Sequence, residues 1–418
     1  QVAFSNLFAT MAKGAPATQN MFLNTGVFAT VGTMLVESEQ KGYPPGVRAA
    51  TARMLHASIL DNAHMLVQVR EYQGRGFLEG GILVGKATLA SKKDGFLKVC
   101  SAICGLLQGA ARNTGNREHV RQLGGLAFCC ACLASVPLQE EETKQARKIK
   151  GRNDERAAGR VAQGRLIVAA CDAIVALCFC DGRAIDAVAK DKHVVVTITQ
   201  MLASRGSDKK TLHLCATLIP MCAVGADNKQ AFLDIGGLSL LCRRLGNVLK
   251  EEEPPPPQPQ QRQQQQQQQE QEQEQKSGRH NFPKGLSLRF YRITVKLITA
   301  VGSCVIRSAE GQRIARIEGC LDHMVCVMRK LGSDDVPRKD PRWEALLTSV
   351  CDALHWTCAR NPESQQELKR IGGGKALFHL LGDGDLRSVR LRGACSDASR
   401  SSAHGWGDAE DSMNIVLL

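Results

Sequence analysis

A three-helix unit, written seven times with varying fidelity, decides most of what this 418-residue chain can become. Its clearest copy runs from Leu346 to Leu381, LLTSVCDALHWTCARNPESQQELKRIGGGKALFHLL. It reads as a long helix with an apolar stripe, a polar turn from Arg360 to Glu363, a short helix ending on Gly372 and Gly373, and a further apolar helix. A unit this small buries its apolar face only against neighbours, so its repetition predicts a stacked array.

The other copies carry the same signs. The first joins LFATMA at Leu7–Ala12 to NMFLNTGVFATVGTMLV, with Gly26 at the corner between short helix and closing helix. Later corners fall at Gly80–Gly81, Gly124–Gly125, Gly236–Gly237, Gly319 and Gly372–Gly373. Glycine suits such a corner because it takes the left-handed conformation without a Cβ penalty. In the fourth copy Asp191 and Lys192 stand in that place, which makes this corner the weakest. Spacing from Gly80 to Gly124, and from Asp191 to Gly236, is about 45 residues.

Two insertions break the rhythm. Residues 137–164, PLQEEETKQARKIKGRNDERAAGRVAQG, hold an acidic cluster, then scattered Lys and Arg, with too little apolar surface to order themselves. Residues 250–287 pass from prolines into a glutamine run, which offers no core. Both are expected to be disordered. The resulting division is 1–136 for repeats one to three, 165–249 for four and five, 288–385 for six and seven, and 386–418 for a degenerate tail. An opening Gln1 in place of Met suggests a fragment.

Composition agrees with helices. Three Trp and three Tyr are few for aromatic-rich strands, whereas Ala, Leu, Val and Cys pack well between helices. Seventeen Cys in a long chain with no secretory signal at its start point to a reducing compartment, cytoplasm or nucleus, rather than a disulfide framework. No apolar run is read as approaching the roughly 20 residues that span a bilayer. The formal charge of +13 is spread along the chain and forms no concentrated patch in the sequence.

At this point the chain resembles the armadillo repeat family, most closely in DALHWTCARNPESQQELKRIGGGKALFHLL and ATLIPMCAVGADNKQAFLDIGGLSLL. The resemblance implies an all-α fold, a right-handed superhelical solenoid of about seven repeats. It also implies a binding surface along the stacked long helices. Importin-like members carry an Asn ladder there, but the matching positions are Ala9, Ala57, Gly105, Ala176, Pro220, Ala300 and Trp356. Where such members carry Trp stand Ser5, Arg53, Ser101, Asp172, Ala216, Lys296 and Asp352. That departure argues against gripping the main chain of a basic peptide.

The groove candidates are therefore Arg53, Asp172, Lys296, Asp352, His355 and Trp356. Charges on a helix face are commonly just solvated, so the sharper expectation is His355 with Trp356 as an aromatic anchor for a partner. The cysteines read as core: Cys171/Cys178, Cys215/Cys222 and Cys351/Cys358 recur seven apart at equivalent positions, and no pair of halves has zinc spacing. GGGK at Gly372–Lys375 lacks the preceding strand and following Ser or Thr of a phosphate loop. No catalytic constellation, cofactor motif or small-molecule site emerges.

Three functions remain. The first is a non-catalytic protein-interaction scaffold, including a subunit of a cytoskeletal or ribonucleoprotein assembly. The second is nucleic-acid binding through a basic arm at Lys144–Arg165, disfavoured by its glutamates and the few aromatics. The third is the regulatory arm of a larger enzyme.

Overall fold

The computed structural model describes residues 2–13, 15–70, 76–136, 153–204, 209–251, 288–332 and 341–381. Every described helix falls into one of the seven copies, three to a copy. The first copy is α1 (Val2–Ala12), α2 (Pro16–Asn24) and α3 (Val27–Val36). The second is α4 (Pro45–Ile59), α5 (Ala63–Gln68) and α6 (Phe77–Ser91), and the third α7 (Phe96–Ala110), α8 (Thr114–Gln122) and α9 (Gly125–Ala134). The fourth is α10 (Asn153–Cys178), α11 (Gly182–Val188) and α12 (Lys192–Ala203), and the fifth α13 (Lys209–Cys222), α14 (Ala226–Asp234) and α15 (Gly237–Glu251). The sixth is α16 (Leu288–Val305), α17 (Ala309–Ile317) and α18 (Cys320–Leu331), and the seventh α19 (Pro341–Cys358), α20 (Pro362–Arg370) and α21 (Gly373–Leu381). Among the described residues there is no strand.

Local chemistry explains the two turns of each copy. Between long and short helix, Asn62, Asn113, Asp181, Ser308 and Asn361 each accept a hydrogen bond from a backbone N–H of the first turn that follows. These groups would otherwise lack an intrahelical partner. The residue just before the cap turns left-handed at Asp61, Cys180, Arg307 and Arg360, with φ between 53° and 60°. Between short helix and closing helix, Gly26, Gly124, Gly236, Gly319 and Gly372 hold φ of 71° to 78°.

Two corners differ from expectation. Gly80 and Gly81 are buried inside α6, and the second corner lies earlier, where Gly76 precedes that helix. A Cβ on Gly80 would come within 2.4 Å of Val36, so this glycine allows α3 and α6 to approach closely. Asp191 makes the fourth corner without a glycine, at φ −91°, by accepting from His193 N at 3.0 Å.

The first insertion is also shorter than its composition suggests. Helix α10 starts at Asn153, so residues 153–164 are helical. Their Glu, Arg, Ala and Gln are good helix formers and extend a helix nucleated by the apolar stretch beyond Leu166. Residues 137–152, most of 250–287, and the tail beyond 381 lie outside the described residues. The run Val161–Cys178 is long and apolar enough to cross a membrane by length and composition, contrary to expectation. Here it packs against α7, α9 and α13, with 44% of the run buried.

The chain forms two compact units, 1–235 and 236–418, divided at the corner of the fifth copy. In the first unit the long helices stand in a row, α1 on α4, α4 on α7, α7 on α10 and α10 on α13. The closing helices form a second row, α3 on α6, α6 on α9 and α9 on α12. In the second unit α16 packs on α19, while α15 packs on α18 and α18 on α21. Sequential stacking in rows makes the architecture an all-α solenoid.

Between the rows lie buried Leu55, Ile59, Ile103, Leu106, Phe128 and Ile174 in the first unit, and Leu297, Ile298, Met324 and Leu346 in the second. Each such side chain contributes about 1.5–3 kcal/mol through burial. The short helices add a polar device. Gln19 is fully buried, and its Nε2 donates to the carbonyls of Ala12, Ala57 and Leu60 at 2.9, 3.0 and 2.8 Å. Gln312 repeats this, donating to Trp356 O at 2.8 Å and Ala359 O at 3.0 Å. Asn116 and Asn228 reach instead to the carbonyls of Leu66 and Val188 on or beside the preceding short helix. Each amide thus adds a donor to carbonyls at or near a helix end, where intrahelical donors run out.

Candidate protein-binding surface

All six candidates stand on long helices, Arg53 on α4, Asp172 on α10, Lys296 on α16, and Asp352, His355 and Trp356 on α19. In the second unit they sit close in the chain: Asp352, His355 and Trp356 follow one another on α19, and Lys296 is half-buried on the adjacent α16. The rings of His355 and Trp356 meet edge to face, 4.9 Å between centroids at 75°. Both residues are half-buried. By contrast Trp343, on the same helix, is in the core and donates its indole N–H to Leu331 O at 2.9 Å. Burial lowers the His355 pKa, opposed by the Asp352 carboxylate. Burial likewise raises the pKa of Asp352, opposed by His355.

Arg53 and Asp172 belong to the first unit, on α4 and α10, which flank α7. Partial burial raises the Asp172 carboxyl, while Lys210 and His213 on the neighbouring α13 hold that rise down. Arg53 is lowered first by partial desolvation and then by the like charge of Arg165, although the residue as a whole is exposed. Ser101 on α7 donates to the carbonyl of Arg165 at 3.4 Å, which seats that part of α10 on α7.

Two residues of this surface escape a reading of the sequence. Arg165 counts there as the end of a basic arm, Lys144–Arg165, whereas it stands within helix α10. His56 sits one place before Ala57, as His355 sits before Trp356, yet it turns inward. Its ring lies against Gly105 and Gly109 of α7, where a Cβ on Gly109 would be 2.6 Å from His56 Cδ2. Burial, then Arg112 and Lys13, pull the His56 pKa down to about 4. Matching His56 with His355 shows the signal that was available, a histidine at one repeat position in two copies.

Most of the described cysteines line the core, Cys180 being exposed. Cys171, Cys178, Cys215, Cys222 and Cys358 are buried, and Cys351 is half-buried. The structure adds a grouping that spacing conceals: Cys100 and Cys104 on α7 meet Cys129 and Cys132 on α9, thiol to thiol. Contact with Cys104 and burial push the Cys129 thiol well up, and burial raises Cys178 to about 12. Thiols held protonated in this way are inert as nucleophiles. No group of three or more ligating side chains among the described residues is placed to hold a metal ion.

The rows of helices therefore define a helical-repeat solenoid whose exposed surface is a succession of helix faces. A solved structure of the interaction between cadherin and beta-catenin shares this fold, with a TM-score of 0.52 over 99% of this chain and 78% of that one. At 11% identity the similarity concerns architecture, an armadillo-type array of helices. No protein-family profile and no curated protein matches the sequence.

Proposed function

We propose that this chain is a non-catalytic scaffold of the armadillo repeat type, working without cofactor or small-molecule substrate in a reducing compartment, the cytoplasm first. Protein partners bind along the row of long helices, with Trp356 as an anchor. One observation carries this reading: Trp356 is held half-open against His355 while Trp343, thirteen residues earlier on the same helix, is fully used by the core. Large aromatic rings fixed at a surface are frequent binding hot spots. A solenoid offers such faces over a long span at little topological cost.

The test is Trp356→Ala in the full chain, beside Trp343→Ala. Partners recovered by affinity capture and measured by titration should bind Trp356→Ala at least tenfold more weakly, with its urea midpoint unchanged. Trp343→Ala should lower the midpoint. Equal losses of binding and stability in Trp356→Ala would return this ring to the core and end the anchor reading.

A further inference from the structure

We infer that the turn joining α10 to α11 takes a short acidic peptide segment, which seats an apolar side chain on Phe179 and a neighbouring carboxylate on Arg117. This rests on the scaffold reading but places a separate contact on the first unit, independent of Trp356. Phe179 follows the last residue of α10 and is 63% exposed. The same place, two residues before the short helix's cap, is held in other copies by Leu60, Ala111, Ala223, Ile306 and Ala359, and none of these is exposed. A large aromatic ring in solvent here departs from the repeat, and packing of the copy does not call for it.

Arg117 of α8 stands over this ring, its guanidinium carbon 5.8 Å from the ring centroid. A cation over an aromatic face is attracted by the ring's quadrupole, so each side chain restrains the other before any ligand arrives. Arg117 otherwise donates to Thr114 Oγ1 at 3.1 Å, and among the described residues no carboxylate pairs with it. The adjacent acid, Glu118, is taken by Arg121 and Gln122. Arg121 also reaches Asp181 at 3.7 Å, which ties α8 to the turn that carries Phe179. The pair thus offers an open ring beside a cation that lacks a counter-charge. A peptide carboxylate supplies that charge while its apolar neighbour covers the ring. A basic segment would leave Arg117 unmatched. A single-stranded nucleic acid could stack a base on Phe179, but Glu118 beside Arg117 and Asp181 beside Phe179 would repel its successive phosphates.

The full chain is titrated by anisotropy with four fluorescent probes of equal length: a peptide alternating Leu and Glu, one with Lys in place of Glu, one with Gly in place of Leu, and a single-stranded oligonucleotide. The Leu/Glu peptide should bind at least tenfold more tightly than the other three. Phe179→Ala and Arg117→Ala should each weaken it at least fivefold at an unchanged melting temperature. Leu83→Ala, which removes an exposed apolar side chain of α6, should have no effect. On the unaltered chain, saturating Leu/Glu peptide should slow alkylation of the exposed Cys180 severalfold and leave the rate at Cys326 in the second unit unchanged. Another probe binding as tightly, affinity that survives both substitutions, or Cys180 alkylated as fast with peptide bound would each overturn the inference. Such a result beside partner binding that still depends on Trp356 would remove the Phe179 contact and leave the scaffold reading standing.

Discussion

Replacing Gln312 by Met tests whether the buried amides of the short helices hold adjacent repeats together. The side chain is 8% exposed and donates to two carbonyls at the end of α19, Trp356 O at 2.8 Å and Ala359 O at 3.0 Å. Its Oε1 accepts from Asn361 Nδ2 at 3.3 Å, and Asn361 in turn caps α20. Met fills a similar volume but supplies no donor, so both carbonyls lose their side-chain partner. Each of the two buried acceptors left unsatisfied costs about 1–3 kcal/mol, and relief from burying the amide itself returns roughly 1 kcal/mol, which leaves a net loss of about 1–5 kcal/mol. Gln312→Glu aims a carboxylate at two carbonyl oxygens. It should be at least as damaging at neutral pH and recover in part in acid, where the group is protonated. Urea unfolding followed by far-UV circular dichroism gives the size of the loss. Amide exchange at Gln365 and its neighbours in α20 shows whether it is local, since repeats need not unfold together. A loss below about 0.5 kcal/mol with unchanged exchange would show that these bonds merely replace equivalent bonds to water.

Two further outcomes follow from the packing of α4 on α7. His56 has a folded pKa of about 4 against an ordinary value near 6.5, so the unfolded chain binds the extra proton first; stability should be full above pH 6.5 and fall as pH drops toward 4, by about 3 kcal/mol in all. Melting temperatures across that range should lose much of this slope in His56→Leu. Gly109→Ala should cost about 1–3 kcal/mol by overpacking, because the new methyl would stand 2.6 Å from His56 Cδ2, and a midpoint equal to the parent's would show that the imidazole moves aside freely.

Repetition is what made the architecture legible in the sequence. A capping Asn or Asp before a hydrophilic short helix, and a glycine after it, fix two turns by local chemistry alone, and five corners fall where those signs put them. Gly80–Gly81 misleads because a glycine pair has two local uses. It can turn the chain, or it can admit a neighbour, and only the position of Val36 distinguishes them. Residues 153–164 mislead in the opposite way, since a mixed-charge stretch cannot form a core but readily continues a helix that begins to be buried further along.

The surface obeys a different rule. Core positions repeat because each copy must fill the same space between the same three helices, so seven copies reinforce one another. Nothing imposes that repetition on the outward faces, where each side chain answers to whatever binds there. Gln312 looks like one more polar residue on a polar helix until the carbonyls of the next copy are placed beside it. The positions that decide what a solenoid binds are thus the ones its repeat pattern leaves unspecified, and they become visible only when the helices are laid side by side.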